Sequence, residues 1–165
     1  MYVAITYDAK TTKELLDLVR TTWTKANPGQ DFNMHYPTRR GETDKHGKPA
    51  IDSAHTTLAG VFDFKSRKEW KTYYKTLTPW LGKRVKQNVI AVAMDQKGGG
   101  VHTQLVHEDE VVPFYPEQRQ THCSIAFQLG VPPMHTNHVL NKAKSEILYV
   151  LLETPFPIYG QVRKY

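Results

Sequence analysis

The chain has 165 residues, 39% of them hydrophobic and 23% charged, which predicts a single soluble globular domain over residues 1–165. Its one cysteine, Cys123, excludes an internal disulfide framework and a four-cysteine zinc site. The formal charge of +6 favours polyanionic partners such as nucleotides or RNA, although a basic surface that only keeps the protein soluble is an equally good interpretation.

The sequence shows no sign of a membrane segment or a secretion signal. No apolar run approaches the ~20 residues that a membrane-spanning helix needs. The opening "MYVAITYDAK" lacks the basic region and the long apolar run of a signal peptide. We therefore expect a cytoplasmic protein without membrane contact, and we expect it to be a monomer.

The first part of the chain predicts a strand, a helix and a long loop. Residues 2–7 alternate and are rich in β-branched and aromatic side chains, which is typical of a strand. Residues 11–26 predict a helix that begins at a capping box of Thr11 and Glu14. The polar stretch of about 30–53 predicts a long, partly mobile loop, and loops of this length are usually functional or disordered.

A second helix is predicted after another capping box, formed by Ser66 and Glu69. The three glycines at 98–100 lack the spacing of a phosphate-binding loop and instead predict a hairpin turn. The strands and the turn in this part of the chain are predicted at 54–64, 84–95, 96–100 (the turn) and 101–107.

The last part predicts a strand over 120–130 and a helix whose apolar face runs from Val139 to Ile147. Two further strands are predicted on either side of the "TPFP" break at 154–157. This order of elements is typical of an α+β protein with mixed sheets and peripheral helices.

Two of the predicted strands carry the same short pattern, a histidine two residues before a hydroxyl. The stretch "SAHTTLAG" contains His55 and Thr57, and "QTHCSIAFQLG" contains His122 and Ser124. Residues two apart on a strand point to the same face, so each histidine shares a face with its hydroxyl. The opposite face of the second strand is predicted to be an apolar set made for a core: Cys123, Ile125, Phe127 and Leu129.

Two imidazoles that face each other suit the cleavage of a phosphodiester. One neutral histidine accepts a proton from the attacking water, while a protonated histidine gives one to the leaving oxygen; an unperturbed pKa of about 6.5 makes both forms accessible. Thr57 and Ser124 are predicted to donate to the non-bridging phosphate oxygens, where negative charge must be held. This chemistry requires no metal, and we expect no cofactor.

Either motif alone is most simply a structural histidine, because the chain has eight histidines and short patterns recur by chance. The stretches "HTQ" (102–104) and "HTN" (135–137) lack the hydroxyl at the third position. The two full matches each precede an apolar residue and point away from an apolar face. Together they favour a catalytic site of His55, Thr57, His122 and Ser124.

"HTTL" and "HCSI" resemble the paired His-x-Thr/Ser-hydrophobic motifs of the 2H phosphoesterase superfamily. The order of elements is most similar to that in the catalytic domains of the 2′,3′-cyclic nucleotide 3′-phosphodiesterases. The resemblance implies a bilobal α+β fold, with two antiparallel or mixed sheets flanking a central cleft, and a metal-independent hydrolase. It assigns water activation to His122 and protonation of the leaving oxygen to His55.

The resemblance also implies substrate-binding residues. Tyr36 would contact phosphate or base. Relatives carry a stacking aromatic at the position of Gly60, and here the nearest aromatic is Phe62, two residues further on. Arg119 is displaced by one residue from the arginine that precedes the second motif in relatives. Tyr115 would line the opposite rim. For Tyr36 and Tyr115, an aromatic ring packed on the surface is an equally good interpretation.

Three functions follow from these residues and the resemblance. The first is hydrolysis of a 2′,3′-cyclic phosphate, on a nucleotide or at an RNA 3′ end, to a 2′-phosphate. The second, implied by small viral and phage members of the superfamily, is immune evasion by cleavage of 2′,5′-oligoadenylate or cyclic di- or oligonucleotide messengers. The third is a nucleotide-binding module with a lost activity, against which the two intact motifs argue.

Overall fold

The computed structural model describes residues 1–35, 54–106, 112–115 and 120–165, and the backbone of 38–43 and 49–51. Short 3₁₀ turns follow β4 and α2 and precede β8. The strands and helices in chain order are β1 (Tyr2–Thr6), α1 (Ala9–Ala26), β2 (Thr38–Thr43), β3 (Pro49–Ile51), β4 (His55–Gly60), α2 (Arg67–Leu77), β5 (Arg84–Met94), β6 (Gly98–Leu105), β7 (His122–Phe127), α3 (His135–Asn141) and β8 (Leu148–Lys164).

One antiparallel sheet of six strands organises the fold, in the order β4-β1-β8-β5-β6-β7. The sheet curves until its two edge strands, β4 and β7, lie against each other, so that it is nearly closed like a barrel. Strands β2 and β3 form a separate two-stranded sheet within the stretch predicted as a loop. The parts of that loop at 36–37, 44–48 and 52–53 lie outside the described residues.

The expectation of two sheets flanking a central cleft is wrong. Strand β5 has 11 residues and β8 has 17, and their pairing runs from Arg84 opposite Gln161 to Met94 opposite Leu148. These two long strands join both halves of the chain into one sheet. The pairing skips residues 152–155 opposite Ile90, so Pro155 lies where the ladder needs no N–H. The "TPFP" stretch therefore shifts the register of one strand instead of separating two.

The helices begin and end at positions that differ in part from the prediction. Asp8 caps α1, because its side chain accepts a hydrogen bond from the Thr11 N–H (2.8 Å), so the predicted capping box at Thr11 is wrong. The Ser66 half of the capping box predicted for α2 is confirmed, since its hydroxyl accepts from the Glu69 N–H at 3.2 Å, but the Glu69 carboxylate accepts from the Lys65 N–H (3.0 Å) instead of from Ser66. Helix α3 ends at Asn141, before the predicted end of its apolar face.

The main core lies on one face of the sheet beneath α1 and α2, and a second, smaller cluster packs α3 against Ala93 of β5. Strand residues such as Val3, Ile5 and Leu58 are fully buried in the main core, as are Leu15 and Val19 of α1. Over the first four residues of β4 and of β7, buried residues alternate with half-buried ones, which marks the opposite face as accessible there. None of the helices in the described residues is long and apolar enough to cross a membrane.

The three glycines do not form the predicted hairpin turn. The turn is at 95–97, and the glycines are the first three residues of β6. Asp95 closes this turn by accepting hydrogen bonds from the N–H groups of Lys97 (2.8 Å) and Gly98 (3.1 Å). A Cβ atom on Gly100 would lie 2.0 Å from the carbonyl oxygen of Cys123, so only glycine allows β6 and β7 to approach this closely.

The close approach at Gly100 predicts a large effect of a single methyl group. Gly100→Ala should lower the free energy of unfolding by about 3 kcal/mol, the upper end for an overpacked core, because backbone atoms must move. Gly29→Ala is the matched control: it has open space around it, so the strain of its positive φ should cost only about 1–2 kcal/mol. Urea denaturation measures both, and equal losses would contradict the packing argument.

Candidate active site

The two His-x-hydroxyl motifs lie on the two edge strands, which the curvature of the sheet brings side by side. The backbone N–H of His55 hydrogen-bonds the sulfur of Cys123, so the two motifs are in direct contact. Thr56 and Cys123 are both fully buried. Because side chains alternate along a strand, His55 and His122 therefore both lie on the face that is turned away from the core.

The predicted alternation is confirmed over the first four residues of β4 and of β7, and it ends beyond them, where Ala126 is buried although it was predicted to share the face of His122. Thr56 and Leu58 are buried while His55 and Thr57 are half-buried, and β7 repeats this pattern at the described positions. Leu129, predicted to be part of the apolar set, is 92% exposed. It lies in a turn beyond the end of β7, where the alternation of the strand no longer applies.

A buried polar cluster lies beneath the motifs. The Gln87 side-chain oxygen on β5 accepts hydrogen bonds from the hydroxyls of Tyr7 and Thr56, the latter at 2.9 Å. Burial raises the pKa of Tyr7 well above its usual value, with a further contribution from Cys123, so the phenol keeps the proton that it donates. Burial also raises the pKa of Cys123 to about 12. The cluster links the buried side of the first motif to the centre of the sheet.

Hydrogen bonds to backbone carbonyls orient the second motif. His122 Nδ1 lies 2.9 Å from the Gln120 carbonyl oxygen, which can only accept, so Nδ1 carries a proton and Nε2 carries the lone pair of the neutral ring. The Ser124 hydroxyl donates to the Pro133 carbonyl (2.9 Å) and lies 2.9 Å from the Thr136 hydroxyl. Ser124 has a single proton, so it donates to a phosphate only after rotating away from Pro133.

Two tyrosines at the ends of the chain surround the first histidine. The ring of Tyr2 lies 5.7 Å from that of His55 and stacks on Tyr165 with 5.0 Å between centroids. The Tyr165 hydroxyl is 2.5 Å from the hydroxyl of Thr6, which lies opposite His55. Sequence reasoning missed both tyrosines. For Tyr2, its place in a predicted strand was an available signal, whereas Tyr165 is brought here only by pairing of the chain ends.

A third histidine, His102 on β6, lies directly opposite His122. Its Nδ1 is 2.8 Å from the hydroxyl of Tyr149. Burial, together with the charge of Lys144, lowers the pKa of His102, so this ring is neutral at pH 7. The stretch "HTQ" lacks a hydroxyl at its third position, so the motif pattern alone does not select this histidine. Its place on a strand beside the second motif was the signal that could have found it.

The predicted substrate-binding residues have different outcomes. Tyr36 and Arg119 lie outside the described residues. Phe62, 67% exposed, lies in the turn after β4. The Tyr115 N–H donates to the Leu58 carbonyl (2.9 Å), which places its backbone beside β4. Its ring stacks on Phe64 at 4.5 Å within an aromatic cluster.

A charged cluster supports the segment that holds Ser124. His135 Nε2 lies 2.9 and 2.8 Å from the two carboxylate oxygens of Asp95, and Lys142 donates to the same carboxylate at 2.9 Å. Partial burial raises the pKa of Asp95, but hydrogen bonds from His135, Lys142 and the backbone of Lys97 outweigh it and lower the pKa to about 2. The described residues contain no group of three or more His, Cys, Asp or Glu side chains that could hold a metal ion.

Comparison with protein families and with curated proteins found no match to the chain.

The buried cluster predicts that Tyr7→Phe lowers the free energy of unfolding by about 1–2 kcal/mol, because a buried hydrogen bond to Gln87 is lost. Tyr74→Phe on α2 is the matched control, half-buried and away from the cluster, and should change stability by no more than about 0.5 kcal/mol. Urea denaturation of both variants is the measurement. A Tyr7→Phe protein as stable as the control would show that the cluster contributes nothing.

The lowered pKa of Asp95 predicts a stability contribution that depends on pH. Because the folded-state pKa is about 2 and the unfolded value is near 3.9, the contribution is present above pH 4 and is lost as pH falls through 2. Asp95→Asn should cost on the order of 1–2 kcal/mol at neutral pH, and this cost should shrink towards pH 2. The matched control is Asp17→Asn at an exposed ion pair. A cost that stays constant down to pH 2 would contradict the assignment.

Proposed function

We propose that the protein is a metal-independent phosphodiesterase of the 2H type, which hydrolyses a 2′,3′-cyclic phosphate on a nucleotide or RNA end to a 2′-phosphate. The observation that carries the proposal is the contact between the two motifs, with His55 and His122 on the same accessible face. Chance recurrence of a short pattern gives no reason for two matches to meet in space.

In the proposed reaction, His122 is the base. Its Nδ1 proton is held by the Gln120 carbonyl, so Nε2 takes a proton from water as the water oxygen bonds to phosphorus. The bond between phosphorus and O3′ breaks, and a protonated His55 gives its proton to O3′. One water is consumed, and the products are a 2′-phosphate and a 3′-hydroxyl. Proton exchange with solvent then restores both histidines.

Thr57 and Ser124 would hold the negative charge that builds up on the non-bridging oxygens. Both hydroxyls are half-buried and lie two residues after a histidine on the accessible face. Ser124 must exchange its bond to the Pro133 carbonyl for one to the phosphate. This exchange makes Ser124 a donor that engages only when substrate is present.

An assay with the purified protein and a chelator distinguishes the candidate functions. Its substrates are 2′,3′-cyclic AMP, 2′,5′-oligoadenylate and a panel of cyclic di- and trinucleotides. Chromatography should show conversion of 2′,3′-cyclic AMP to the 2′-monophosphate. Cleavage of the messengers alone would replace this function with the second candidate. Binding without turnover of any substrate would indicate the non-enzymatic module.

The two-histidine mechanism predicts that His55→Ala and His122→Ala each lower the rate by at least 10²-fold with the fold intact, because each removes a general acid or base. His138→Ala is the matched control, since this histidine is exposed on α3. Steady-state rates and circular dichroism are the measurements. Near-wild-type activity in either motif variant would show that the mechanism is wrong.

A further inference from the structure

A positively charged surface lies on the accessible face of the sheet, apart from the two motifs. A cavity of about 500 Å³ opens there at the ends of β1, β5 and β8. Its charged lining residues are Arg84, Arg163 and Asp8. No part of the proposed hydrolysis uses this cavity, although Thr6 forms its wall on the side of His55.

The strand register gives the position of Arg163 relative to the first motif. Thr57 lies opposite Ala4, and Ala4 lies opposite Arg163 on its other side. Directly opposed residues of antiparallel strands point to the same face, so Thr57 and Arg163 share the accessible face. Neighbouring strands are about 4.8 Å apart, which places the backbone of Arg163 about 10 Å from that of Thr57.

Arg84 lies on the neighbouring row of the same face. His55 is opposite Thr6, Thr6 is opposite Gln161, and Gln161 is opposite Arg84. Three strand spacings separate the backbones of His55 and Arg84, or about 14 Å. The two arginines therefore lie together, and the Arg163 guanidinium is turned along its strand to Gln161, the residue directly opposite Arg84.

Neutral partners orient both guanidinium groups. Arg163 donates from Nε (3.1 Å) and Nη2 (2.9 Å) to the side-chain oxygen of Gln161, and Gln161 is itself held by the Gly82 carbonyl at 3.0 Å. Arg84 lies over the ring of Tyr159, 4.9 Å from its centroid. These partners position the two groups without neutralising their charges.

The balance of charge in the cavity is positive. No ion pair within 4.0 Å joins either arginine to a carboxylate among the residues that the structure describes. Asp8 lies in the same cavity and interacts with Arg84, but its carboxylate also accepts the N–H of Thr11 at the start of α1. Two arginines against one carboxylate leave a net charge suited to an anion.

We propose that Arg84 and Arg163 form a second anion subsite, which binds a phosphate of the substrate other than the scissile one. The planar guanidinium groups present paired donors that match phosphate oxygens. The substrate class is therefore an oligonucleotide with at least two phosphates, not a mononucleotide. This inference rests on the proposed function, because it assumes that the scissile phosphate binds at the two motifs.

The test compares a substrate that reaches the subsite with one that does not. The variants are Arg84→Gln, Arg163→Gln and the double variant, and the substrates are 2′,3′-cyclic AMP and a triadenylate that ends in a 2′,3′-cyclic phosphate. Lys164→Gln is the matched control: it removes the same charge next to Arg163, but Lys164 lies opposite the buried Val3 and over the ring of Tyr74 at 5.3 Å.

The arginine variants should lose at least 10-fold more kcat/KM on the triadenylate than on 2′,3′-cyclic AMP, mainly through KM, whereas Lys164→Gln should affect both substrates equally. Equal effects of the arginine variants on both substrates would overturn the subsite.

If the wild-type protein cleaves neither substrate, the proposed function fails while the subsite is still tested by binding. Fluorescence anisotropy with a labelled triadenylate then gives the salt dependence between about 50 and 200 mM. The slope of log K against log salt is negative, and its magnitude should decrease by about 0.7 for each phosphate contact that an arginine variant removes. An unchanged slope would overturn the subsite on its own.

Discussion

The buried hydrogen bonds of Gln87 are the constraint on which the arrangement of the site depends. A polar group without a partner in the core is costly, so the Gln87 oxygen requires the hydroxyls of Tyr7 and Thr56 to stay where they are. Thr56 lies between His55 and Thr57, and Cys123 lies between His122 and Ser124. The core thus positions both motifs from behind, and their polar side chains remain accessible.

Curvature of one sheet replaces the two-lobed arrangement that the resemblance to the 2H superfamily implies. Strands β5 and β8 carry the connection, while β4 and β7 close the sheet against each other and bring the motifs into contact. Glycine at position 100 permits the close packing of β6 on β7 that this closure needs. The same face carries the histidines of the motifs and the arginines of β5 and β8, with Tyr165 lying beside His55 and hydrogen-bonded to Thr6.

Local patterns in the sequence predicted the structural features that are determined by residues close together in the chain. The cap at Ser66 and the alternation around His55 and His122 were predicted because each depends on a few consecutive positions. The single sheet was not, because pairing of β5 with β8 joins residues far apart in the chain. His102 and Tyr165 were missed for the same reason. Each lies near the site because of strand pairing between distant parts of the chain, which local sequence patterns do not reveal.

Cys123 provides a way to measure the rate at which the two edge strands separate. It is the only thiol in the chain, it is fully buried beside His55, and a pKa of about 12 keeps it protonated. An alkylating reagent needs the thiolate and access to it, and both are gained only when β4 separates from β7 or the chain unfolds. Because the strands can close again before the thiol reacts, the rate of thiol modification in the native protein is a lower limit on the rate of these openings.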